Sequence, residues 1–166
     1  MKDRSLSLLA LLMLTPLVPA RSQGSHDHAG MHPAGDSAHN AMKARGQAAM
    51  GVDQDRSTHR FTSLPDGGRI ELTSDVDDTA ATAAIRKHFA DIAKAFSAGD
   101  FTIPAMVHDQ EVPGTDVMKA RATVITYRTR EVPRGAELRI TTRDKAAIAA
   151  IHRFLLFQRT EHHAGQ

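Results

Sequence analysis

The chain contains no cysteine, no tryptophan and one tyrosine among its 166 residues. The missing thiols exclude disulfides, thiolate metal sites, thiol catalysis and a lipid anchor on cysteine, so any metal must be held by His, Met, Asp or Glu. The scarcity of large aromatic rings leaves little for bases to stack on. The 21 Lys and Arg are nearly matched by 19 Asp and Glu and are interleaved with them, as in Arg128-Thr129-Arg130-Glu131. Nucleic acid is therefore not an expected partner. Also missing are H-E-x-x-H, G-x-S-x-G and a glycine-rich phosphate loop ahead of a helix. Asp, His and Ser are all present, yet no spacing among them points to a triad, and an enzyme is not the expected class.

Histidine is what the chain has in excess, at ten residues. The amino terminus carries the other clear signal. Met1-Lys2-Asp3-Arg4 is a short charged start, Leu6 to Val18 an apolar run, and Val18-Pro19-Ala20 fits a small-residue cleavage rule. The run is broken by Thr15 and Pro16 and is short for a bilayer. Residues 1–20 are thus expected to be a cleavable signal peptide, giving a periplasmic or secreted protein with no stable membrane anchor after cleavage. The remaining 21–166 suits one domain.

From Arg21 to Met50 the composition is mostly Gly, Ala, Ser, His, Met and Asp, too poor in large apolar residues to repay ordering, and the segment reads as a disordered His/Met-rich tail. Residues 38–50 have the alanines for a transient helix only. The domain is then 51–166. Thr58–Leu64 and Arg69–Thr73 are β-prone runs joined by Pro65-Asp66-Gly67-Gly68, which predicts a hairpin. Asp75–Asp78 offer capping carboxylates to a helix over 79–98, where Ile85, His88, Phe89, Ile92 and Phe96 share one face, and Gly99 stops it. Residues 100–118, with Pro104, Pro113 and Gly114, read as a long connecting loop. A second hairpin, 122–130 and 137–142 around Pro133-Arg134-Gly135, precedes a helix from Lys145 to about His162 with Ile148, Ile151, Leu155 and Leu156 on its apolar face. Hairpin, helix, hairpin, helix is a loose internal repeat. It predicts an α+β, two-layer ββαββα domain: a four-stranded antiparallel sheet with two helices on one face. Two separate ββα units are the lesser option.

Several residue sets have the donors for a metal ion. The tail holds His26, His28, Met31, His32, His39, Met42 and Met50; imidazole with thioether favours copper over other common ions. An exported low-complexity run with incidental histidines accounts for the same residues. In the domain, His88 and His152 each lie on the apolar side of a helix and, under the repeat, can approach each other. Satisfied core histidines are the plain alternative. His108, with Met106 or Met118, is expected on an exposed polar loop. His59 opens the first strand beside Asp53 and Asp55, whose spacing lacks the glycine and distal glutamate of a calcium loop. His162 and His163 are expected to be solvated at a frayed helix end.

Gly51-Val52-Asp53-Gln54-Asp55-Arg56-Ser57-Thr58-His59-Arg60-Phe61, Asp66-Gly67-Gly68, Ala98-Gly99-Asp100-Phe101, Val112-Pro113-Gly114 and Ile151-His152-Arg153-Phe154-Leu155 resemble a family of small exported proteobacterial proteins of unknown function. The resemblance covers residues 50–163. Such proteins often carry an aspartate carbamoyltransferase label that does not suit this chain: those transferases are much longer, and only fragments of their Ser-x-Arg-Thr-Arg loop occur here. The resemblance implies export and fold, and no activity. The expectation is a periplasmic metal-binding protein, copper first, for buffering or delivery, using the tail and His59, His88, His108, Met118 and His152. A metal-free interaction or stress-associated module with a periplasmic protein partner is the alternative, and a hydrolase or transferase stands behind it.

Overall fold

Two Pro-x-Gly turns organise the sheet. Pro65-Asp66 joins β1 (Ser57–Leu64) to β2 (Gly67–Ser74), and Pro133-Arg134 joins β3 (Thr126–Val132) to β4 (Gly135–Thr141). In the computed structural model, which describes residues 33–162, the four strands form one antiparallel sheet in the order β1-β2-β4-β3. The signal-like segment, His26, His28, Met31, His32 and His163 lie outside the described residues. No helix among the described residues is long and apolar enough to cross a membrane.

Register assigns every strand residue a face, because successive side chains alternate. Phe61, Ile70, Leu138 and Tyr127 belong to one face, with Leu72, Ala136 and Ile140, and these residues are buried. That face is covered by α2 (Thr79–Ser97) and α5 (Lys145–Glu161). Asp78 caps α2, accepting from the Ala80 and Ala81 amides, and Asp144 caps α5, accepting from Ala147. Each helix follows one hairpin and covers the other: α2 lies on β3 and β4, and α5 on β1 and β2. That exchange makes a single ββαββα layer pair rather than two ββα units. Close approach of α5 to β2 depends on Gly68, where a Cβ would stand 2.1 Å from Leu155 Cδ1.

Four expectations are corrected. Residues 33–50, assigned to the disordered tail, form α1 (Pro33–Met50), with Met42 and Gly46 buried one turn apart against the domain. Arg45 Nε donates to the Val107 carbonyl at 2.8 Å, and Lys43 pairs with Asp55. The folded unit therefore begins before Gly51. Residues 100–118 are not a plain loop but hold α3 (Thr102–His108) and α4 (Thr115–Ala120). Pro104 sits in the first turn of α3, where its missing N–H costs nothing. Asp109 and Gly114, at φ 53° and 91°, make the reversals on either side of Val112. Finally, β3 starts at Thr126, since Ala122–Val124 is a 3-10 turn, and the buried stripe of α5 runs through Ala147, Ala150, Ile151, Phe154, Leu155 and Gln158, leaving Leu156 exposed.

Candidate functional site

Between α2 and α5, above the β1 end of the sheet, the two helices leave a gap that α1 and α3 close. The resulting cavity, about 70 Å³, is floored by Phe61, Ile70, Phe89, Phe96 and Phe154. Its polar lining is unusual in being almost entirely imidazole: His59 from β1, His88 from α2, His108 from α3 and His162 at the end of α5, with Gln158; Met50 also borders it, its Sδ accepting from Gln54 Nε2 at 3.8 Å. No Ser, Thr, Asp or Glu is in the lining.

His162 stands at the centre of the group. Its ring centroid lies 5.0 Å from that of His59, with planes 29° apart, and 5.1 Å from that of His108, nearly perpendicular. His59 also stacks on Phe61 at 5.6 Å, and His108 meets Phe157 edge-on at 4.9 Å. His108 Nε2 is 3.1 Å from Gln158 Oε1, while its Nδ1 is buried with no hydrogen-bond partner among the described residues. His88 joins the lining from α2, its ring meeting that of Phe89 edge-on at 6.1 Å.

This setting favours neutral imidazole. Desolvation, helped by the proximity of His88, holds His59 down at about 4 against an ordinary 6.5. Desolvation also lowers His88 despite Asp91, and His108 despite Gln158 and Glu161. Uncharged rings keep a lone pair available, which is the form that ligates metals.

The cavity gathers His59, His88 and His108 and leaves other expected residues elsewhere. His152 does not approach His88; its Nε2 lies 2.9 Å from the Leu64 carbonyl, beside the first hairpin turn. His108 is buried at 7% exposure, not displayed on a loop, because it closes α3 against Gln158 of α5. Met118 is fully buried in the core and Met106 is half-exposed, so neither lines the cavity with His108. His39 lies on α1, half-buried and outside the lining. His162, expected to be solvated, is the member that the sequence reading missed; the available signal was its place just beyond a helix whose last buried residue is Gln158. Among the described residues, no three His, Asp or Glu side chains already stand where they could hold one metal ion. No family model matches the chain, and neither a curated protein nor a solved structure matches it.

Proposed function

We propose that this domain binds a transition-metal ion, copper foremost, in the histidine-lined cavity, and that it buffers or delivers that ion in the periplasm or outside the cell. The observation that carries the proposal is the spacing of His59, His162 and His108 around one cavity. With metal–nitrogen bonds of about 2.0 Å, two imidazoles on a single tetrahedral ion place their centroids about 5 Å apart. The two adjacent pairs here are at 5.0 and 5.1 Å. The stacked rings of His59 and His162 must turn their nitrogens toward a common point, so ligation is coupled to side-chain rotation within the cavity.

Copper is favoured because the donors are imidazole and thioether with no thiolate, a set suited to both copper oxidation states. The hydrophobic floor would exclude water from the ion and so tune its potential. A hydrolase or transferase at this cavity lacks support, since the lining supplies no hydroxyl or carboxylate to work beside an imidazole. The alternative of a metal-free interaction module draws on a different surface, the sheet's open face.

Calorimetric titration of Cu(I), Cu(II) and Zn(II) into the full chain, a chain beginning at Pro33 and a His108→Ala/His162→Ala variant tests the proposal. Truncation must stop at Pro33, because removal through Met50 would strip the cavity roof. Copper binding that survives truncation and is lost in the double variant is expected. Binding confined to the full chain would place the ligands before Pro33 and overturn the cavity assignment.

A further inference from the structure

The sheet face turned away from α2 and α5 carries a different chemistry. Register places Arg60, Arg69, Arg128, Arg130 and Arg139 on it, against Glu71 and Glu137. In one cross-strand row, Arg60–Glu71–Glu137–Arg130, two central carboxylates are flanked by an arginine on either side. In the next, Thr62–Arg69–Arg139–Arg128, three arginines stand directly opposite one another. Like charges in that position destabilise a sheet. Carboxylates relieve two members of that row, Arg69 and Arg139, and leave Arg128 without a counter-charge. Glu137 is taken by Arg130 at 2.9 Å and Arg69 at 3.7 Å, and Asp66 pairs with Arg139 at 2.5 Å. The side chains of Arg128 and Arg60, both exposed, have no ion-pair or hydrogen-bond partner among the described residues. Arg69 Nε is buried without an acceptor.

We infer that this face binds an anionic polysaccharide, its arginines meeting the repeated carboxylate, sulfate or phosphate groups of an extended chain. The occupant follows from what the face offers and lacks. Arginine forks recognise oxyanions bidentately, and Thr62, Thr73, Thr126 and Thr141 flank the charged rows on the same face, offering hydroxyls to a sugar. The exposed large apolar residues Val76, Met106, Val124 and Leu156 all lie off this face, and its only aliphatics, Leu64 and Val132, are partly covered beside the turns. A protein interface is normally centred on aromatic or aliphatic anchors, and a membrane surface is normally gripped by insertion of apolar groups. Neither anchor is present. With no aromatic ring on the face, base stacking is absent too.

The test uses the full chain and dextran sulfate as the probe, with polyglutamate and vesicles rich in anionic phospholipid as the other arms. Salt-sensitive binding to dextran sulfate is expected. In Arg60→Ala/Arg128→Ala, the log–log slope of affinity against salt should fall by about two, one for each lost charge contact, with the unfolding midpoint no lower than that of the native chain. Arg60→Lys/Arg128→Lys should keep the slope and lose part of the affinity. Undiminished binding by the alanine variant would overturn the assignment of this face. Polyglutamate or vesicles bound in preference to dextran sulfate would overturn the polysaccharide in favour of an acidic protein or a membrane.

Discussion

Replacement of His59 by Phe should make the metal-free protein more resistant to acid. In the folded chain the His59 ring is desolvated against Phe61 and His162 and holds its proton only below about 4, whereas in the unfolded chain it titrates at 6.5. Above the unfolded value both states are neutral and the stability is fully present. As pH falls through the interval the unfolded chain takes up a proton that the folded chain refuses, and stability declines. At about 1.4 kcal/mol per pH unit the interval costs about 3 kcal/mol. The groups around the site do not cancel this: His88 and His108 are also held low, and Asp91, Glu161, Lys87 and Arg45 act on those two rings. The lowered carboxyls, Asp66, Asp91, Asp100 and Asp144, lose their ionised form only at more acid pH. Urea unfolding followed by far-UV circular dichroism, with a chelator present, reads the effect. With a slope of about 2 kcal/mol per molar, this group lowers the native midpoint by about 1.5 M across the interval, and His59→Phe should recover most of that. A variant that loses as much stability as the native chain would refute the desolvation argument.

Asp78→Ala and Asp144→Ala each remove a side chain that accepts from helix-start amides, and each should cost about 1 kcal/mol, read from thermal unfolding. Gly114→Ala should cost more, since φ is 91° and the new Cβ would stand 2.3 Å from the Ala150 carbonyl oxygen; a midpoint within error of the native chain would show that α4 can move off α5. Met42→Ala truncates a buried anchor of α1, so amide exchange should accelerate across 38–50 while strand amides keep their protection.

The hairpins and the two long helices were legible because their signals are local: Pro-x-Gly turns, capping aspartates and apolar spacing. The register that follows turned those signals into one sheet. α1 was not legible, because a helix docked chiefly by Met42 and Gly46 has no apolar stripe to read. α3 and α4 were hidden by Pro104, Pro113 and Gly114, which here start and reverse short helices instead of preventing them. At the candidate site, the nature of the donors was evident but their grouping was not. His88 and His152 looked equivalent on their helices, yet His88 lines the cavity while His152 bonds the Leu64 carbonyl. His108 and His162 meet only because α3 folds back on the end of α5, a contact between residues 54 positions apart in sequence.

X-ray absorption at the copper edge, on copper-loaded chain beginning at Pro33, tests the central claim most directly. Imidazole scattering from at least two rings, reduced by His162→Ala and accompanied by a sulfur shell that Met50→Leu removes, is the predicted result. A copper shell of oxygen donors, unchanged by either substitution, would contradict a metal site in the histidine cavity.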